Sequence, residues 1–455
     1  MTDAPTRPAR PHFGSLDTLR AVAVLFVLFH HVHAYAGYPA LEMTIPGTDI
    51  SFYGASFFVG SGNGIDIFFV LSGFLLALPW HRAELRGGHP PRLRDYLTRR
   101  FYRIVPPYWF CMATTLLLLT GGVINFGAVI SRDGLWSILA HLSFTQQLFP
   151  VTTSGFEGVH GAVWTLTIEM IFYLALPVVI HAFLGRRWRW GLPAALAISL
   201  GWQWLARSGM QPVVDWLVRA HQDSYGIPEV AMRRTFLANQ IPTFAFEFAL
   251  GICAARLVVA WSTESGSARR PRWLGGPGVA STVSLAALVL LGFATYQAGT
   301  ESPEDSFKYY AAHHLTAVAA AVLIVTLTQA RGWVRWLFEL KPMRWIGIIG
   351  YSVFLWHIAV IRVVAQYPTL APDFTSSRHR LLILTLWSVP LTLALSAVLY
   401  HLVEKPFMGR SPRRREPEPA RRLAGPMSLD GDSGVERAEA APGSGGERAP
   451  VDVSA

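Results

Sequence analysis

Ten long apolar runs divide this chain, and each is close to the length that an α-helix needs to cross a lipid bilayer. Only 15% of the 455 residues are charged, against about 25% in soluble proteins, so the chain has too little polar surface to be solvated as a globule. The sequence therefore predicts an all-α, polytopic integral membrane protein with about ten transmembrane helices. The predicted spans are residues 18–37, 57–80, 104–122, 163–184, 190–206, 236–261, 278–298, 310–329, 345–366 and 379–401.

The distribution of Lys and Arg between the links predicts the orientation of the chain. The link 81–103 contains seven arginines, whereas the link 38–56 contains no Lys or Arg. Because cytoplasmic links are enriched in basic residues, the link 81–103 is predicted to be cytoplasmic, and so are both termini. The link 207–234 disagrees, since it carries four arginines on the predicted outer side. We expect a multi-pass protein of the cell membrane, embedded in the lipid bilayer.

Composition divides the chain into three segments. Residues 1–15 form a short tail that contains Pro and Arg, and residues 16–407 form the membrane domain. Residues 408–455 are rich in Pro, Gly, Ser, Arg and Glu and lack aromatic residues. Because neither tail has the apolar residues needed for a core, the C-terminal segment is predicted to be a disordered cytoplasmic tail.

Charge and cysteine content exclude two classes of function. The formal net charge is +10, but the arginines lie at span ends and in the tail, where membrane topology explains them without a nucleic-acid partner. Cys111 and Cys253 both fall inside predicted spans, so they form neither a disulfide framework nor a metal motif. No metal site is predicted.

Arg20 and His31 are polar residues in an otherwise apolar stretch, eleven positions apart. At 100° per residue the separation is about 1100°, within roughly 20° of three whole turns, so both side chains project from one helix face. His30 and His33 are predicted to lie off that face. At 1.5 Å per residue, His31 lies roughly 16 Å from Arg20 along the helix, near the middle of the hydrocarbon core. An ionisable residue at that depth is a functional-site hypothesis.

From the residues alone, two interpretations of His31 are equally supported: a general base toward an acceptor hydroxyl, and a hydrogen bond between packed helices. Asp66 and Glu169 are carboxylates flanked by apolar residues, so each is predicted to have a partner. Glu169 is predicted to orient His31 or to bind an acceptor hydroxyl, with a structural ion pair as the alternative. Asp66 is assigned a structural role. For His357, a place on the cavity wall and a core hydrogen bond are equally supported, and for Ser72 close helix packing is favoured over nucleophilic catalysis.

Six separated motifs resemble those of the membrane acyltransferase type 3 family. They are Leu16–Arg20 with His31, Gly64–Leu75, Arg100–Pro106, Trp164–Glu169 continuing to Phe172 and Tyr173, Gly350–His357, and Glu404–Phe407. The resemblance extends over nearly all of residues 15–407, and the motifs occur in the family's order. Thr165 departs from the pattern, because Ser is usual at that position.

The resemblance implies an enzyme that transfers an acyl group, here acetyl, from acyl-CoA to a hydroxyl group. The expected acceptor is a carbohydrate, a glycoconjugate or a cell-surface polysaccharide. Acyl-CoA is a co-substrate, and no permanently bound cofactor is expected.

The resemblance also implies the roles of individual residues. His31 and Glu169 are the predicted catalytic residues. Arg20, Arg100 and Arg103 are predicted to hold the phosphates of coenzyme A through charge-assisted contacts. For Arg100 and Arg103, anchoring at the cytoplasmic face is the alternative. Further candidates for the cavity wall are Asp66, Ser72, Tyr173 and His357.

Two other functions remain open at this stage. The first is acylation of a diffusible glycosylated natural product, such as an antibiotic that carries a sugar. The second is secondary transport, which also uses about ten spans and polar residues near the midplane. Transporters tend to have matching halves with interrupted helices at corresponding positions, and such a pairing is not visible in this sequence.

Overall fold

The computed structural model describes residues 14–410, apart from 45, 49–50, 120–131, 150–160, 226–235, 263–270, 272–275, 301–305, 330–331 and 367–375. Residues 1–13 and 411–455 lie outside the described residues, and with them most of the two predicted tails. The prediction of a disordered C-terminal tail is therefore untested.

Sixteen α-helices and two short strands make up the regular structure of the described residues. They are α1 (Gly14–Tyr35), β1 (Glu42–Thr44), β2 (Ser51–Tyr53), α2 (Ala55–Gly60), α3 (Gly64–Arg86), α4 (Leu93–Leu119), α5 (Arg132–Leu142), α6 (Trp164–Val179), α7 (Trp188–Ser208), α8 (Gln211–Tyr225), α9 (Ala245–Trp261), α10 (Pro277–Gly299), α11 (Ser306–Gln329), α12 (Trp333–Leu337), α13 (Lys341–Ile348), α14 (Gly350–Gln366), α15 (Ser377–Leu399) and α16 (Lys405–Gly409). The strands pair antiparallel, with Glu42 opposite Tyr53. Apart from this one pair, the all-helical prediction is confirmed for the described residues.

Within the part of the chain that the structure describes, seven helical segments are long and apolar enough to cross a membrane, and an eighth is obtained if α13 and α14 form one bent span. The prediction of a polytopic membrane protein is therefore confirmed, whereas the count of ten stays a prediction. The two remaining predicted spans are helical as α4 and α7 but do not meet the same length and apolarity criteria.

Helices α3 and α9 touch backbone to backbone at a pair of glycines. A methyl group on Gly73 would overlap the carbonyl oxygen of Phe248, and one on Gly251 would overlap that of Val70. Glycine is therefore required at both positions for the helices to approach this closely, as at small-residue interfaces in membranes. This contact fixes α3, which carries Asp66, against α9, which carries Glu247.

Helix α1 lies in the interior of the bundle and makes a second close contact near its start. A methyl group on Gly347 of α13 would overlap the carbonyl oxygen of Asp17. Helix α13 then meets α14 at an angle of 75°. After this bend α14 runs beside α1 and carries Tyr351, Phe354 and His357 toward the interior, where all but Tyr351 are buried.

Candidate active site

Two cavities lie inside the bundle and share part of their walls. The first, here called the arginine cavity, is lined by Arg20, Arg100 and Arg103. The second, the histidine cavity, is lined by His30, His31 and His313. Ile65, Thr165 and Phe354 line both cavities and therefore lie between them, and the boundary that they form is here called the neck.

Helix α1 contributes to both cavities along one side. Arg20 lines the arginine cavity, and His31, three turns further along the helix, lines the histidine cavity. This arrangement agrees with the predicted common face of the two residues. His30 differs from the prediction, because its ring also lines the histidine cavity, next to His31, and its Nδ1 lies 2.8 Å from the Val59 carbonyl oxygen. Residue spacing gives the direction of a side chain to within tens of degrees, and a wide cavity accepts both directions.

The arginine cavity concentrates positive charge in a buried space. Arg20 Nη1 donates a hydrogen bond of 3.0 Å to Asp17 Oδ1, which neutralises part of that charge. The Arg100 guanidinium lies 5.8 Å from the centre of the Tyr173 ring, in cation–π contact. Its buried Nε has no hydrogen-bond partner within the described residues. A buried guanidinium with spare donors is suited to an anionic ligand such as phosphate.

Glu169 lies on the wall of the arginine cavity, together with Ser72 and Tyr173. Its Oε1 accepts a hydrogen bond of 3.0 Å from Ser72 Oγ and a short hydrogen bond from the Tyr173 hydroxyl. The structure thus supplies the partner that a buried carboxylate requires, and it supplies hydroxyl groups in place of an arginine. It does not bring Glu169 to His31, so an orienting role toward that ring has no geometric support. A catalytic role of Glu169 stays a prediction.

His31 is oriented by a backbone carbonyl and by a second histidine. Its Nδ1 lies 2.8 Å from the Val27 carbonyl oxygen and 3.3 Å from His357 Nε2. His357 Nδ1 in turn lies 2.7 Å from the Phe354 carbonyl oxygen. A ring nitrogen beside a carbonyl oxygen must donate, so these partners assign the proton to Nδ1 in both rings. His31 Nε2 then carries the lone pair, and it makes no hydrogen bond within the described part of the chain.

Asp66 is fully buried behind the histidine cavity. Its Oδ2 accepts a hydrogen bond of 2.6 Å from His313 Nδ1, on α11. A second pair lies beside it, in which His314 Nδ1 donates to Glu247 Oε1 at 2.8 Å. The predicted partner of Asp66 therefore exists.

Sequence reasoning missed Glu247, His313 and His314. All three are ionisable residues within predicted spans, which is the same signal that singled out His31. No group of three or more His, Cys, Asp or Glu side chains in the described segments is arranged to hold a metal ion.

The bundle, with two internal cavities that are each lined by ionisable side chains, is that of a multi-pass membrane protein. A family profile described as "Acyltransferase domain" matches residues 13–401. The chain belongs to this family, the membrane acyltransferases of type 3, which its six motifs had indicated.

Several curated proteins are similar to this chain. The peptidoglycan O-acetyltransferase OatA of Listeria monocytogenes is 25% identical over 372 residues, which are 78% of this chain and 50% of that protein. The putative peptidoglycan O-acetyltransferase YrhL of Bacillus subtilis is 26% identical over 87% of this chain and 55% of its own length. Nodulation protein 10 of Rhizobium leguminosarum is 27% identical over 43% of this chain and 51% of its own. The chain thus spans about half the length of these relatives, and no solved structure matches it significantly.

Proposed function

We propose that this protein transfers an acetyl group from acetyl-CoA to a hydroxyl group of a carbohydrate or glycoconjugate. The observation that carries the proposal is the sorting of charge between two adjoining cavities. Three arginines line one cavity, whereas the described lining residues of the other include no Lys or Arg. A polyanionic donor fits the first, an uncharged polyol acceptor fits the second, and the neck lies between the reacting groups.

The donor enters the arginine cavity in this proposal. Arg20, Arg100 and Arg103 bind the phosphates of coenzyme A, and the spare donor of Arg100 supports this role. The pantetheine arm then reaches the neck at Ile65, Thr165 and Phe354. Because Arg20 lies in the half of α1 that adjoins the predicted N-terminal cytoplasmic side, the donor comes from the cytoplasm, where the basic links are predicted to lie.

The acceptor hydroxyl lies at His31 Nε2, on the other side of the neck. His31 removes the hydroxyl proton as the oxygen attacks the thioester carbonyl carbon. The C–S bond breaks, an O-acetyl ester forms, and the coenzyme A thiolate takes the proton from the His31 imidazolium, which returns the ring to its neutral form. The imidazolium that forms on His31 is stabilised at Nδ1 by the Val27 carbonyl and by His357.

Glu169 has a supporting role in this scheme. Its carboxylate holds Ser72 and Tyr173 in the wall of the arginine cavity and offsets part of the positive charge there. That role agrees with its position better than proton transfer at His31 does. Two of the relatives are described as known or putative peptidoglycan O-acetyltransferases, so a cell-wall glycan is one acceptor to test.

Purified protein in lipid nanodiscs tests the proposal directly. With acetyl-CoA labelled in the acetyl group, we expect free coenzyme A to appear together with a labelled carbohydrate ester when glycans or glycosides are supplied. Mass spectrometry of cell-wall glycans, polysaccharides and secreted metabolites from cells with and without the gene should reveal the same lost acetyl increment. If the label stays on coenzyme A with every acceptor supplied, the proposed transfer is wrong. If the label then crosses the membrane of liposomes without being transferred, transport replaces catalysis.

A further inference from the structure

The wall of the histidine cavity carries a carboxylate that the proposed transfer chemistry does not use. Glu247 lines this cavity from α9 and is only 1% exposed. His314 Nδ1 donates a hydrogen bond of 2.8 Å to its Oε1. Its Oε2 is buried and has no hydrogen-bond partner within the described residues. A buried carboxylate oxygen without a partner costs free energy, so a donor from outside the chain is expected there.

The Glu247 side chain is held in place by His314, which in turn contacts Gln203. Gln203 Nε2 lies 3.5 Å from His314 Nε2, which makes a chain from Gln203 through His314 to Glu247 Oε1. The second pair, Asp66 and His313, lies next to it, since residues 313 and 314 are neighbours on α11; His313 lines the cavity and Asp66 lies behind it. Oε1 already accepts from His314, so Oε2 is the carboxylate oxygen that is left without a partner among the described residues.

Aromatic rings lie on the same cavity wall. Trp164 and Phe244 both line it, and their ring centres are 5.9 Å apart. A pyranose has an apolar C–H face and a rim of hydroxyl groups, so it needs flat apolar surface and hydrogen-bond acceptors at once. Carboxylates accept hydrogen bonds from hydroxyls, and indole and phenyl rings offer the flat surface.

We propose that Glu247 is a specificity-determining residue of the acceptor site, where its Oε2 accepts a hydrogen bond from a hydroxyl of a pyranose whose C–H face rests on Trp164 and Phe244. The inference rests on the proposed function and names the acceptor site within it. The bound hydroxyl and the hydroxyl that is acetylated at His31 belong to the same acceptor, because both residues line the same cavity. An anionic group is excluded from this position by the carboxylate.

The test measures acetyl transfer with Glu247→Gln and with wild-type protein in nanodiscs. The acceptor probes are methyl N-acetyl-β-glucosaminide, methyl β-glucoside and their single-site deoxy analogues. In the wild type, one deoxy analogue should lose ten- to hundredfold in kcat/KM, as expected for a hydrogen bond to a charged group. Glu247→Gln should lose a similar factor with the parent glycoside and little more with that analogue, while KM for acetyl-CoA stays unchanged.

Two further variants make the result decisive. Glu84→Gln is the control, because Glu84 is a partly buried carboxylate on α3 that pairs with Arg256 at 2.6 Å and lines neither cavity. It should leave KM for the glycoside unchanged. His314→Gln tests the positioning of Glu247 and guards against misfolding of the first variant. It should raise KM for the glycoside more than it lowers kcat.

The outcomes separate failure of the inference from failure of the proposed function. Three results would overturn the role of Glu247 while leaving acetyl transfer intact. They are equal losses of kcat/KM for every deoxy analogue, losses from Glu247→Gln and from the sensitive deoxy analogue that add when the two are combined, and a change confined to KM for acetyl-CoA. A wild-type protein that acetylates no carbohydrate at all would overturn the proposed function, and the acceptor site with it.

Discussion

Replacement of His31 by Gln tests the centre of the proposed chemistry. Gln retains a polar side chain of similar reach but cannot accept a proton at neutral pH. A positioned general base contributes about 10²–10⁴ in rate, or ~2.7–5.4 kcal/mol in the activation free energy. We therefore expect kcat to fall by this factor, and KM for acetyl-CoA to stay near the wild-type value because the arginine cavity is untouched.

The structure also sets the size of the effect for the neighbouring ring. In His357→Gln, His31 Nδ1 keeps its 2.8 Å contact with the Val27 carbonyl oxygen and loses only the 3.3 Å contact with His357 Nε2. One neutral hydrogen bond is worth about 0.5–1.5 kcal/mol, so kcat should fall only about two- to twelvefold. The two variants thus differ by one to several orders of magnitude.

The assay measures transfer of labelled acetyl groups from acetyl-CoA to the acceptor, at a saturating concentration of acetyl-CoA, with the protein purified in nanodiscs. His33→Gln is the matched control, since His33 is a buried histidine on the same helix that contacts the Pro39 carbonyl and lies outside both cavities. It should change kcat by less than about twofold, because the hydrogen bond that it loses touches neither His31 nor a cavity. Equal losses in His31→Gln and His33→Gln, or a His357→Gln variant as inactive as His31→Gln, would refute the reasoning.

Three further predictions follow from the donor cavity, the helix packing and the tail. Arg100→Lys should raise KM for acetyl-CoA about tenfold or more, because lysine cannot make a bidentate phosphate contact. Arg99→Lys is the control, since Arg99 does not line the cavity, and it should leave this KM unchanged. Equal KM values in the two variants would remove Arg100 from the donor site. Gly251→Ala should lower the thermal midpoint of the purified protein, since its methyl group would overlap the Val70 carbonyl, and an unchanged midpoint would contradict the close contact. Deletion of residues 411–455 should leave acetyl transfer intact, and a truncated protein that folds but is inactive would show that the tail takes part.

Much of the fold was accessible from the sequence because lipid imposes a simple rule on it. A run of about twenty apolar residues must be helical to satisfy its backbone hydrogen bonds, and each of the ten predicted runs is helical over most of its described residues. The common face of Arg20 and His31 was accessible for the same reason, since it depends on the periodicity of one helix.

The contacts between helices were not accessible. Asp66 pairs with His313, 247 positions away, and His31 meets His357, 326 positions away. Periodicity describes the faces of one helix and says nothing about which other helix lies opposite. The sequence therefore predicted that Asp66 and Glu169 have partners without naming them. Orientation of His31 was one of the roles predicted for Glu169, whereas the structure pairs this residue with Ser72 and Tyr173.

The glycine contact between α3 and α9 has a consequence for how this protein can change. Gly73 and Gly251 bring two main chains together, and the same helices carry Glu247, which lines the histidine cavity, and Asp66, which lies behind it. The spacing of these two helices is therefore set by their peptide backbones, which substitutions of the cavity side chains do not change. Substitutions of the lining side chains are therefore expected to alter which molecule is recognised, while the distance between α3 and α9 stays the same.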